Sequence, residues 1–598
     1  MFYRSGTVAS RTDVGSVRAR RLRRAWPVLA LAGVSFAIGA IVGSGGGQDA
    51  ASALAGRFVG AWARGGYGRM YEELDGGSKR ELTAQELAAS CGRALRTATA
   101  TQEQVTGRAQ SVGEGLMAVP VRVRTRLFGT LRLAFYVRVR GSGEGAAVAW
   151  SRSQEFPGLR PGEVLARAMT LPRRGTLLTR EGGVLASGAA SEAGQRTSPL
   201  GAAAGAALGE VGPVPASRAA ALEAEGVPQH AIVGVGGAEE ALDGRLRGVP
   251  GGELLARREL TGATARVLAR AQPRAAGSVR STISPAVQSA AVSALGGQLG
   301  GVVAMRPNGE ILAVAGLGID DLQPPGSTFK MVTVSGVLAA KLATPQSVFP
   351  YATYATLDGV KLSNANGEEC GGSLELAFAV SCNSVFAPLG VKLGAERLVA
   401  MAERYGFNHE TGIPGTVEST LPAASRIQGE LELGSTAIGQ GQVQASALQM
   451  ATVAATIADG GQRPQPTFAF GEGRPPVASA TSASVARTVR KLMIGVVREG
   501  TGTAAAIPGV TVAGKTGTAE LGGPCSTSNQ SSEEHGSTEG NSEESACQEA
   551  SDTDAWFAAF APALAPRVVV GVLMVKDGAG GATAAPVARQ VIEAALHK

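Results

Sequence analysis

Apolar positions open the chain as one block. Ala25 to Val42 holds 18 residues without a charge, inside the range of about 17 to 25 that crosses a bilayer core. Farther on the apolar residues become periodic. Phe58, Val59, Trp62, Tyr67 and Tyr71 recur at near-helical spacing over residues 50 to 72, and Glu81 to Leu95 predicts a second helix. Val121 to Leu127 then alternates with period two, Gly129-Thr130 turns, and Leu131 to Val139 alternates again. That pattern predicts an antiparallel hairpin with one wet face, and the interleaved arginines are that face. Helices followed by such a sheet predict a small α+β domain over 50–153. Residues 154–276 are rich in Ala, Gly and Arg, with short strand candidates such as Gly175 to Ala186 and no catalytic constellation. From 277 to 598 the pattern is α/β: strands Val302 to Met305 and Ile311 to Ala315, many helical stretches, strands Ala555 to Phe560 and Val568 to Val575, and a closing helix Pro586 to Leu596. Only Gly522 to Asp552 lacks any apolar period, and its Ser, Glu and Gly content predicts a flexible insertion over 522–552.

Composition agrees with several packed cores. At 44% hydrophobic and 18% charged residues, the chain is not a disordered or collagen-like one. The net charge of +7 is localised: residues 1–24 hold seven arginines against Asp13, a balance of +6, so the remaining chain carries +1. A nucleic-acid binder keeps its basic surface on a folded domain, and nucleic acid is therefore not expected as a partner. Instead the arginines mark 1–24 as a cytoplasmic tail, 25–44 as a single-pass anchor in the cell membrane, and everything after Ser44 as extracytoplasmic. A cleaved signal peptide is the alternative, but its apolar region is shorter, about 7 to 15 residues, and no clear Ala-x-Ala site follows. With 84 glycines, chance Gly-x-Gly strings are expected, and the run Gly578 to Gly581 carries no phosphate-loop signal.

Cys91, Cys370, Cys382, Cys525 and Cys547 fall in the exported part, where bridges persist. The sequence-close pairs are Cys370 with Cys382 and Cys525 with Cys547, leaving Cys91 over. A metal set of Cys525, His535 and Cys547 has the wrong spacing and too few ligands. No cofactor or metal is called for.

The chemistry lies with lysine. Only nine of the 56 basic residues are Lys, and a buried Lys can lose its proton where an Arg cannot. Lys330 lies in Pro324-Pro-Gly-Ser-Thr-Phe-Lys330, where Ser327 and Lys330 share a helix face at i and i+3. A nucleophile at a helix start would then have a base one turn along. Ser381-Cys382-Asn383 follows 54 residues after Ser327, and Lys515-Thr516-Gly517-Thr518 another 134 later. Ser-x-x-Lys, Ser-x-Asn and Lys-Thr-Gly in this order are shared by penicillin-binding proteins and serine β-lactamases.

Residues 278–598 resemble the transpeptidase domain of class B penicillin-binding proteins. The likeness extends to Ser281 to Gln288, Pro307 to Ala313, Ala437 to Gly441 and Asp554 to Phe557, while Arg173 to Ala186 and Gly234 to Gly248 look like the pedestal, or dimerisation-type, region. Residues 50–153 are similar to the cone-shaped, nuclear-transport-factor-2-like domain of the methicillin-resistance-type branch. Ser284 departs from the usual Asp. What the resemblance implies is a penicillin-binding fold and a serine D,D-transpeptidase. Ser327 would attack the terminal D-Ala-D-Ala bond of a peptidoglycan stem peptide, and β-lactams would acylate it. Lys330 would take the proton, in a site where burial and Lys515 both lower its pKa. Ser381 would relay a proton to the leaving amine, and Asn383 would orient Lys330 and the peptide. Lys515, Thr516 and Thr518 would hold the substrate carboxylate beside Gly517, and the N–H groups of Ser327 and Thr518 would form the oxyanion hole. Other cell-wall synthesis proteins are expected partners. A carboxypeptidase or β-lactamase shares the trio, and a scaffold or β-lactam sensor is the non-enzymatic alternative.

Overall fold

The computed structural model describes residues 47–188, 196–471, 478–520 and 553–597. The tail 1–24, the anchor 25–44, the insertion 522–552 and the pair Cys525 with Cys547 lie outside them. No helix of the described residues is long and apolar enough to cross a membrane. Two compact units are formed. One takes residues up to 92 with 102–123 and 132–164, and the other takes 93–101, 124–131 and the chain from 165 onward.

In the first unit, helices lie against a sheet ordered Ala100–Val105, Leu116–Thr125, Thr130–Arg140, Ala147–Ala149. Its core is aromatic, with Trp62 and Phe58 edge-on to Phe135 at 5.1 and 6.4 Å between ring centroids. The apolar spacing over 50–72 does not continue as one helix. It breaks into Gly47–Trp62 and Tyr67–Glu72 at Gly65, which takes φ +69°. The second predicted helix runs Ala84–Thr97 rather than from Glu81. A reciprocal cap sets its start: Glu86 accepts from Thr83 N–H at 2.7 Å, and Thr83 Oγ1 accepts from Glu86 N–H at 3.2 Å. Cys91 is buried and unpaired, its thiol pushed up to about 12 by burial.

In the second unit, Gly251–Arg258 pairs antiparallel with Thr264–Ala271, and Leu177–Leu178 pairs with Val184–Ala186 as a short hairpin. The main sheet is ordered β2–β1–β5–β4–β3, with β1 Gly300–Met305, β2 Ile311–Gly316, β3 Ala513–Glu520, β4 Thr553–Ala561 and β5 Val568–Met574. Every one of its pairings is antiparallel. The α/β expectation is corrected here. Strands adjacent in sequence are not joined by βαβ crossovers, because β1 is closed against β5 from the far end of the chain, a pairing that periodicity cannot encode. Helices do cover both faces, which is why β1, β2 and β5 are apolar throughout. Val302, Ala304, Phe557 and Ala559 face α1 Pro285–Leu295 and α7 Ala584–Leu596. Val303, Met305, Trp556 and Ala558 face the opposite core, which holds α2 Lys330–Ala339 and α5 Ala447–Ala458. Between α2 and α5 lie α3 Leu374–Ala379 and α4 Asn383–Leu393, and α6 Ala483–Glu499 precedes β3.

Candidate active site

Ser327 sits in a single 3-10 turn, Gly326–Phe329, that runs directly into α2. Side chains at i and i+3 eclipse in such a turn, so Ser327 and Lys330 share a face. Two glycines let this turn lie against the edge strand β3. Gly326 adopts φ +49°, and a Cβ there would meet Thr518 O at 2.6 Å; a Cβ on Gly517 would meet Pro325 O at 2.7 Å.

Lys330 is fully buried. Its Nζ donates to Ser381 O at 2.6 Å and Asn383 Oδ1 at 2.7 Å, and lies 3.4 Å from Ser381 Oγ. Lys515, also fully buried, donates to Ser381 Oγ at 2.8 Å and to Thr516 O at 3.1 Å. One hydroxyl thus stands between two amines. Burial drives the Lys330 amine well below its ordinary range, helped by the charge of Lys515, and burial alone brings Lys515 down to about 7. A neutral amine near neutral pH is a base, and Ser381 Oγ can pass a proton between the two.

Ser381 holds φ +64°, a left-handed conformation that costs a β-carbon residue about 1–3 kcal/mol. The turn is fixed on both sides: Ser381 N–H donates to Phe378 O at 3.2 Å and Cys382 N–H to Ala377 O at 2.8 Å. Cys382 is bonded to Cys370, with Cα atoms 5.8 Å apart. Asn383 opens α4, and its Nδ2 donates to Ser363 O at 2.9 Å, which turns Oδ1 toward Lys330.

Strand alternation puts Thr516 and Thr518 on the opposite side of β3 from Lys515. Thr516 Oγ1 lies 2.5 Å from Thr501 Oγ1, and Thr518 Oγ1 accepts from Gly580 N–H at 3.5 Å. Thr501 and Gly580 escape sequence reasoning. Thr501 also donates through its N–H to Ala379 O at 3.1 Å, linking β3 to the segment before Ser381, and nothing in its local sequence signals this. Gly580 belongs to the glycine run, whose service is steric: a Cβ there would meet Gly517 O at 2.3 Å. Ser284 Oγ donates to Glu181 Oε1 at 2.9 Å, away from these groups. His230, His409 and His597 are exposed, and no cluster suited to a metal occurs among the described residues.

Residues 300–593 match the model of the penicillin binding protein transpeptidase domain, and 189–279 match the penicillin-binding protein dimerisation domain. The peptidoglycan D,D-transpeptidase PbpA of Mycolicibacterium smegmatis is 34% identical over 387 residues, covering 54% of this chain and 73% of the relative. PbpA of Mycobacterium tuberculosis is 37% identical over 304 residues, 47% of this chain, and the match spans 56% of that protein. Among solved structures, the ceftriaxone acyl-enzyme complex of M. tuberculosis penicillin-binding protein A is 29% identical with a TM-score of 0.52, covering 71% of this chain and 98% of that one. With three motifs converging on one hydroxyl and these matches along both parts of its second unit, the chain belongs to the penicillin-binding proteins that pair a dimerisation domain with a transpeptidase domain.

Proposed function

We propose that this chain is a serine D,D-transpeptidase of peptidoglycan, anchored in the cell membrane by residues 25–44, with its catalytic unit outside the cytoplasm. The observation that carries the proposal is Ser381 Oγ held between the buried amines of Lys330 and Lys515. Lys330, neutral because it is buried, takes the Ser327 proton as Oγ attacks the penultimate D-Ala carbonyl. The tetrahedral oxyanion faces the N–H groups of Ser327 and Thr518. Ser381 hands a proton to the departing D-Ala amine. An acceptor amine then attacks the acyl-enzyme, loses a proton back through the same groups, and leaves a cross-link. A β-lactam forms the same ester but keeps its leaving amine tethered. Support comes from the M. tuberculosis relative, whose structure is an acyl-enzyme with ceftriaxone.

The basic tail and uncharged block before residue 47 support single-pass anchoring, and the helices and alternating sheet of 50–153 support a nuclear-transport-factor-2-like domain of the methicillin-resistance-type branch. Other cell-wall synthesis proteins are the natural partners of such an anchored enzyme. The test uses the purified protein with a fluorescent penicillin, and separately with a stem-peptide donor and an acceptor amine. Wild type is expected to label covalently and to release D-Ala with formation of the cross-linked dimer. Ser327→Ala is expected to do neither while melting normally; label persisting on that variant would sink the assignment.

A further inference from the structure

The Ser381–Asn383 turn is also held from outside the three motifs. Asn364, 6% exposed, lies between the strand Val360–Ser363 and the segment leading to Cys370. Its Nδ2 donates to Ala352 O at 2.7 Å and Glu368 O at 2.8 Å, and its Oδ1 accepts from Ser384 N–H at 2.8 Å. The residue before it, Ser363, supplies the carbonyl that accepts from Asn383 Nδ2 at 2.9 Å. The first turn of a helix leaves N–H groups without intrahelical partners, and a side-chain oxygen at the N-cap normally takes one. Here the N-cap of α4 is Cys382, which has no side-chain oxygen and makes no such bond. Asn364 supplies the missing acceptor from elsewhere in the chain, and its amide donors simultaneously join it to Ala352, the strand partner of Cys370, and to Glu368 two residues before Cys370. An aspartate would offer the acceptor without the donors, and a serine has a single proton.

We propose that Asn364 is a positioning residue for acylation: it caps α4 in trans and thereby fixes Asn383 Oδ1 against Lys330 Nζ. This rests on Ser327 being the acylated nucleophile. A misplacement of about 1 Å can cost about 100-fold in rate. Asn364→Ala should therefore lower the acylation rate constant at saturating penicillin by about 10- to 100-fold, leaving the preceding non-covalent affinity unchanged. Asn364→Asp keeps the acceptor for Ser384 N–H but sets a buried carboxylate oxygen against Ala352 O and Glu368 O, so it should recover little of that loss. A near-normal melting temperature of Asn364→Ala separates the effect from a general loss of fold. In hydrogen–deuterium exchange, the peptide covering Ser381 to Phe386 should lose protection in Asn364→Ala while β3 keeps it. A wild-type rate in Asn364→Ala, a loss confined to the preceding non-covalent affinity, or unchanged protection of that peptide would each overturn the proposal. Should wild type itself fail to label, the enzymatic reading fails, and the exchange measurement still decides whether Asn364 caps α4.

Discussion

Lys515 shows most directly what burial does to a single side chain. Its amine is brought from 10.5 down to about 7 in the fold, so between those values the unfolded chain holds a proton that the folded chain does not. Stability then rises with pH across that window and is lost as pH falls toward 7. Lys330, lowered as well, adds in the same direction. In Lys515→Met the Lys515 contribution is absent. The melting temperature of wild type relative to that variant should therefore climb from about pH 7 to about pH 10, and a pH-independent difference would contradict it. Ser381 makes a second case, in which one residue serves chemistry against its own conformational preference. Ser381→Gly and Ser381→Ala both remove the hydroxyl, but only glycine accepts φ +64° without a Cβ penalty. Both variants should lose acylation, with the glycine variant more stable than the alanine one by about 1 kcal/mol in denaturant titration. Equal stabilities would mean that the turn carries no strain.

At the level of elements, the bridge between Cys370 and Cys382 ties the strand Cys370–Ser373 to the start of α4, closing a loop over a sequence separation of 12. Loop closure of that size is worth about 3 kcal/mol in the chain-entropy model, a shift of a few degrees in a unit this large. Because the turn must be held within about half an ångström for productive geometry, the double change Cys370→Ser with Cys382→Ser should slow acylation by about 10-fold or more. Acylation unchanged in a variant that melts lower would leave the bridge a stabiliser alone. The pairing of these two cysteines is legible in the sequence, as are the three motifs, because each is a local cluster of residue types chosen for chemistry. Asn364 and Thr501 are not legible, since their partners stand many residues away and an Asn or Thr in a loop carries no signal of what it will meet. The strands β1, β2, β4 and β5 are likewise legible within a residue or two. Their antiparallel order is not, because it depends on which distant strand closes against β1.

For the molecule as a whole, packing does not stop where catalysis stops. Leu177, Leu185, Leu208 and Leu246 share one core with Val303, Met305 and Phe329, so the region before the catalytic sheet is part of its support. Arg174 lies in that region as a fully engaged buried ion. It bonds Glu239 at 2.7 Å and Asp243 at 2.6 Å, with Arg196 on Glu239 at 2.9 Å. An arginine-rich sequence thus places some of its charge in the interior, where removing one partner of such a pair is strongly destabilising. The position of β3 has a separate consequence. It is the outermost strand of the main sheet among the described residues, and an unpaired edge is a template for any extended chain. The surface proposed to receive a stem peptide is therefore one of the two edges of this sheet. A substrate laid along it as a sixth strand would be read first through main-chain hydrogen bonds, which are indifferent to side-chain identity. Such an edge gains tolerance toward variable peptides, because recognition that runs through the backbone places few demands on the side chains it meets.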